Sequence, residues 1–145
     1  MINSVLVVCV GNICRSPAGE RMLARACPDL RVESAGIAAL AGHAADKTMS
    51  EVAKNHGLSL EGHIARQFTA EIAAGFDLIL ALEKGHIKVI SEMAPAVSGK
   101  TMLLGQWLTA QEIADPFRNS LEFYELVYAQ VTDACAAWAS KLGAR

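Results

Sequence analysis

The chain has 145 residues, 52% of them hydrophobic, and a formal net charge of −2 at pH 7. That length predicts one domain spanning residues 1–145 with room for a sizeable core, and the apolar content excludes a disordered chain. The near-balanced charge gives no basic patch for nucleic acid, no apolar run reaches membrane-spanning length, and no basic n-region opens a signal peptide, so a cytoplasmic protein without direct membrane insertion is expected.

Ile2 to Val8 is an apolar, β-branched run and reads as a buried strand. A tight loop follows, and Ser16 and Pro17 read as the start of a helix to Ala26, Ser16 as its cap and Pro17 in the first turn, where no N–H is needed. Pro28 stops that helix. Arg31 to Ser34 is a short second strand, turned by Ala35-Gly36, and residues 37–46 form an Ala- and Gly-rich loop. Asp46 caps a helix running to His56 and stopped by Gly57. Ser59 to Gln67 is irregular, and Thr69 starts a short helix ended by Gly75. Phe76 to Leu82 is a third strand, followed by a helix through Met93, and Lys100 to Leu104 is a fourth strand. After a loop containing Asp115-Pro116-Phe117, a last helix runs from about Ser120 to Leu142. Its core stripe is Leu121, Tyr124, Tyr128, Val131, Cys135, Trp138 and Leu142, at steps of three and four. Strands alternating with helices predict an α/β domain with a central four-stranded parallel sheet, which places ligands at the carboxyl ends of its strands.

The loop after the first strand is where chemistry is expected. Cys9 ends the apolar run, and Val10, Gly11, Asn12, Ile13 and Cys14 lead to Arg15 and Ser16. Gly11 and Asn12 tolerate the dihedrals that turn successive N–H groups to one side, and a helix N-terminus adds its positive dipole end. A phosphate fits there. Arg15 offers a planar fork for two of its oxygens. A helix N-terminus and a neighbouring Arg favour thiolate over thiol, which suits Cys9 to nucleophilic attack, with Ser16 donating to the sulfur. Asp115 is the only Asp followed by Pro. It is the candidate acid for the leaving oxygen and the base towards water in a second step. The alternative for Asp115 is an ordinary Asx-turn.

The spacing alone is weak: four Cys and seven Arg give about 0.2 chance matches to Cys-x5-Arg in a chain this long. The context of strand, Gly-Asn loop and Ser-Pro sharpens it. No Gly-x4-Gly-Lys-Ser/Thr phosphate loop is present, no C-x-x-C pair suggests structural zinc, and neither metal nor cofactor is expected. Cys27 and Cys135 read as buried core cysteines, and His43, His56 and His86 as surface or hydrogen-bonded histidines.

Val-Cys9-Val-Gly-Asn-Ile-Cys14-Arg15-Ser16-Pro17 resembles the signature of low-molecular-weight protein-tyrosine phosphatases. Glu33-Ser34-Ala35-Gly36, Gly62-His63-Ile-Ala-Arg66-Gln67, Phe76-Asp-Leu-Ile-Leu80 and Asp115-Pro116-Phe117 resemble the family's further blocks in the same order. The resemblance implies Cys9 as nucleophile, Arg15 as phosphate binder and Asp115 as general acid. It also implies a supporting hydrogen-bond network of Asn12, Ser16, Ser34 and His63. Cys14 reads either as a simply buried cysteine or, as the resemblance suggests, as the partner of Cys9 in a reversible disulfide under oxidation. The chain is most similar to the bacterial branch linked to capsule and exopolysaccharide export, which implies a membrane tyrosine autokinase as phosphotyrosine protein substrate. Phe117 stands where the family often has Tyr, and Leu40 matches the facing wall; both are expected to line the cleft. The competing readings are a thioredoxin-coupled arsenate reductase of the same fold and a non-catalytic phosphoprotein-binding module. The reductase needs two further cysteines near mid-chain, and Leu80 to Lys88 has none.

Overall fold

The structure is a computed structural model that describes residues 1–143. Four parallel strands form one sheet: β1 (Ser4–Cys9), β2 (Arg31–Gly36), β3 (Leu78–Ala81) and β4 (Thr101–Leu103), in the order β2-β1-β3-β4. The order reverses between β1 and β3, so a crevice opens beyond their carboxyl ends. Cys9 lies at that edge, paired with Gly36 of β2.

The two central strands, β1 and β3, are buried along their whole length, which is why they read as continuous apolar runs, whereas the edge strand β2 begins with exposed to half-buried Arg31, Val32 and Glu33. Successive side chains still point to opposite sides. Val5, Val7, Leu78 and Leu80 pack with α1 (Arg15–Ala26), α2 (Lys47–Asn55) and α5 (Leu121–Lys141). Leu6, Val8, Ile79 and Ala81 pack on the other side with α3 (Ala70–Ala74), α4 (Lys84–Met93) and a 3-10 turn over Pro95–Lys100. That turn was not expected from sequence. No helix among the described residues is long and apolar enough to cross a membrane.

Most helix ends follow their local chemistry. The side chains of Asp46, Thr69 and Ser120 accept from the N–H groups of Met49, Ile72 and Phe123, each satisfying one of the donors a helix start leaves free. Two expectations need correction. Ser16 does not cap α1: the helix begins at Arg15, its Ncap is Cys14, and no side chain bonds the first turn. The Ser16 hydroxyl is committed to the Cys9 sulfur instead. Leu121 is 60% exposed, so the buried stripe of α5 starts one turn later, at Tyr124. It also includes Val127 and Ala134, which broaden a single seam into the wide stripe needed against both α1 and α2. Leu142 packs against the edge of this core.

Candidate active site

The turn from β1 into α1 is held from outside. Five consecutive carbonyls point away from the crevice: those of Cys9, Val10, Gly11 and Ile13 accept from the N–H groups of Ile37, Ala38, Leu40 and Asp46 at 2.7–3.0 Å. The Asn12 carbonyl accepts from His63 Nε2 at 2.6 Å. A peptide's N–H points opposite to the C=O before it, so this loop directs its N–H groups towards the crevice. Asn12 sits at φ 58°, a left-handed conformation Asn tolerates better than bulkier residues.

Asn12 is fully buried and ties the loop to its surroundings through its side chain. Its Nδ2 donates to Ser16 Oγ (2.9 Å) and Ser34 Oγ (3.0 Å), and its Oδ1 accepts the Arg66 N–H (2.9 Å). Because Ser16 Oγ already accepts from Asn12, its own proton is free for Cys9 Sγ, 2.9 Å away. Ser34 likewise accepts from Asn12 and donates to Glu20 Oε1 at 2.6 Å. The network of Asn12, Ser16, Ser34 and His63 expected from sequence is thus one connected set, extended by Glu20 and Arg66.

Arg15 is 2% exposed, and a buried guanidinium needs compensation. Its Nη1 donates to Glu83 Oε2 at 2.5 Å and to the Ile113 carbonyl at 2.7 Å. Glu83 follows β3, so the sheet's switch point brings the Arg of one strand end to the carboxylate of the other. Sequence reasoning passed over Glu83. The available signal was its position, an acid just beyond the carboxyl end of a strand neighbouring β1. His86, expected to be exposed or satisfied, is instead 7% exposed with Nδ1 buried and without a hydrogen-bond partner among the described residues. It is the buried residue of the first turn of α4, between exposed Gly85 and half-buried Ile87, and faces Glu83.

Cys9, Val10, Gly11, Ile13, Cys14 and Arg15 form the inner part of a cavity of about 220 Å³, which Leu40, Asp115 and Phe117 also line. Cys9 is 3% exposed while Leu40 and Phe117 are 44% and 41% exposed, so the sulfur lies at the floor and the apolar groups at the rim. Asp115 is exposed and makes an Asx-turn, its Oδ1 accepting the Phe117 N–H at 3.0 Å. The Asx-turn is present, using Oδ1, and the same carboxylate lines the cavity. Burial, helped by the charges of Asp46, Cys9 and Asp115, pushes the Cys14 thiol well up. Cys9, Cys14 and Cys135 are free thiols, and all four cysteines are buried. Chemically, the cavity offers an oxyanion a sulfur nucleophile, a nest of N–H groups, a guanidinium and a carboxyl group.

Gly36 is fixed by close approach rather than by φ. A Cβ there would lie 2.4 Å from the Val10 carbonyl oxygen and 3.0 Å from Asn12. Gly36→Ala is therefore expected to displace the loop. Inhibition by inorganic phosphate should weaken at least about tenfold, with a loss of about 1–3 kcal/mol in urea unfolding, the usual cost of overpacking.

The model of the family described as low molecular weight phosphotyrosine protein phosphatase matches residues 4–145. The chain is 54% identical over 140 residues to the low molecular weight protein-tyrosine-phosphatase Etp of Escherichia coli K12, covering 97% of this chain and 95% of that one. Among solved structures it resembles the tyrosine phosphatase Wzb of Escherichia coli K30 in complex with sulphate, with a TM-score of 0.98, 48% identity and coverage of 99% and 100%. It also resembles Vibrio vulnificus Wzb in complex with benzylphosphonate, with a TM-score of 0.95, 46% identity and coverage of 97% and 99%.

Proposed function

The chain belongs to the low molecular weight phosphotyrosine protein phosphatase family, and from that premise we propose that it hydrolyses phosphotyrosine through a cysteinyl-phosphate intermediate on Cys9. In the first step the Cys9 thiolate attacks phosphorus in line, forming the S–P bond as the bond to the tyrosine oxygen breaks. Loop N–H groups and Arg15 hold the three equatorial oxygens, where charge spreads in the transition state. Asp115 gives its proton to the departing phenolic oxygen. In the second step Asp115, now a carboxylate, takes a proton from water as the water oxygen attacks phosphorus. The S–P bond breaks, inorganic phosphate leaves, and the thiolate returns. Ser16 Oγ, 2.9 Å from the sulfur, stabilises the anion at both ends of the cycle.

The observation that carries this reading is that sulfur, guanidinium and carboxyl group line one cavity. The relatives' sulphate and benzylphosphonate complexes support it, because both ligands are tetrahedral oxyanions and the second adds a benzyl group. Depth argues for tyrosine. With the sulfur 3% exposed and the apolar Leu40 and Phe117 lining the same cavity at 44% and 41% exposure, a phenyl ring packed between those two side chains is favoured over the shorter phosphoserine. The substrate we propose is the phosphorylated tyrosine cluster of a membrane tyrosine autokinase controlling capsule or exopolysaccharide export, as the bacterial-branch motifs imply. The phosphorylated cytoplasmic part of such a kinase should lose its phosphate to this enzyme. Matched peptides should show kcat/KM for phosphotyrosine at least about 10³ above that for phosphoserine. Equal turnover of the two peptides would contradict the reading.

A further inference from the structure

A second polar side chain faces the carboxylate that holds Arg15, and no step above uses it. His86 Nε2 lies 3.4 Å from Glu83 Oε2, the same oxygen that takes Arg15 Nη1 at 2.5 Å. His86 is 7% exposed, and its Nδ1 is buried with no partner among the described residues. A neutral imidazole has one donor and one acceptor. With no hydrogen-bond partner at Nδ1 among the described residues, the tautomer with its proton on Nε2 is the one that strands no donor, and Nε2 faces Glu83 Oε2 at 3.4 Å, slightly longer than a formed hydrogen bond. An imidazolium would strand a charged N–H. Burial, and then the Arg15 guanidinium, hold His86 below its ordinary value, against the opposing pull of Glu83, Asp115 and Glu112.

We propose that His86 is a positioning residue for Arg15: a neutral imidazole that fixes the Glu83 carboxylate, which in turn fixes the guanidinium. The proposal rests on the role of Arg15 given above. The Glu83 side chain is 35% exposed, so a single ion pair leaves it free to swing towards water. A second donor placed 3.4 Å away by the first turn of α4 limits that freedom as the contact tightens around a bound oxyanion. Arg15 keeps its bond to the Ile113 carbonyl in either case, so losing Glu83 misaligns the fork rather than releasing it. A residue present for packing alone would be better apolar, because an unfilled buried nitrogen is costly. His86 bears that cost, and its other nitrogen has a use.

The test compares His86→Leu, His86→Gln, Glu83→Ala and the Glu83→Ala/His86→Leu double variant, using an aryl phosphate as substrate and orthovanadate as a mimic of the transition state. His86→Leu is expected to lower kcat and vanadate affinity each by roughly tenfold, the weight of one hydrogen bond to a charged group, with a smaller change in KM. His86→Gln, with an N–H donor at similar reach, should recover most of both. In the Glu83→Ala background, which leaves no oxygen for His86 to face, His86→Leu should have no further effect. If His86→Leu does not fold, His86→Asn, whose amide falls short of Glu83, is expected to show the same loss. Wild-type kcat and vanadate affinity in His86→Leu or His86→Asn, no recovery in His86→Gln, or additive losses in the double variant would each overturn the proposal. An active Cys9→Ser enzyme would instead overturn the phosphatase mechanism, so the two failures are distinguishable.

Discussion

Cys9→Ser is expected to lose roughly 10⁴-fold or more in kcat towards any aryl phosphate, while phosphopeptide binding stays close to wild type. The two functions separate because they use different atoms. Binding depends on the loop N–H groups and Arg15, and that loop is held by five outward carbonyls and by Asn12, none of which involves the sulfur. Chemistry depends on a nucleophile that can attack phosphorus and later leave from it. A serine hydroxyl beside Ser16 is a poor nucleophile without a base, and its phosphate ester resists hydrolysis. Steady-state kinetics with isothermal titration of a phosphotyrosine peptide separate the two quantities. Serine replaces one buried polar atom by another within hydrogen-bond range of Ser16, so the variant should fold. Retained turnover would place the nucleophile elsewhere.

Asp115→Asn should slow hydrolysis of phosphotyrosine by roughly 10² to 10⁴, the usual weight of general acid catalysis. The substitution isolates proton transfer. Asn keeps an oxygen to accept the Phe117 N–H, so the Asx-turn and the rim of the cavity persist. The loss should depend on the leaving group. Tyrosine leaves with an oxygen of pKa about 10 and needs the proton, whereas a strongly acidic phenol does not. With an activated aryl phosphate, the first step should therefore stay fast, and the second, which needs Asp115 as base, should become limiting. An equal loss for both substrates would remove Asp115 from proton transfer.

The parts of this molecule that were legible from sequence are those in which local chemistry and tertiary structure agree. Asp46, Thr69 and Ser120 cap the helices they precede, and the apolar run of β1 is buried on both faces as its composition requires. Ser16 misled because a serine before Pro17 has two uses, and only the fold shows that the sulfur claims its hydroxyl. Leu121 misled because helical periodicity continues past the edge of the surface a helix packs on. At the site, Cys9, Arg15 and Asp115, which line one cavity, were legible as candidates because the first two share a loop and the third carries a Pro signal. Glu83 and His86 were not, since their relevance arises only when β3 is placed beside β1. An acid 68 positions from the arginine it neutralises leaves no trace in local pattern. The burial of His86 was also hidden, because a helix's first turn carries too few residues to reveal which face is inward.

The claim on which all of this rests is that phosphate passes through the Cys9 sulfur. Asp115→Asn mixed with an activated aryl phosphate and quenched in acid within the first turnover tests it most directly. The expected result is a burst of one phenol per active site, with a phosphoryl group found by mass spectrometry on the peptide containing Cys9. A phenol burst accompanied by phosphate on another residue, or no burst and no covalent phosphate at all, would contradict it.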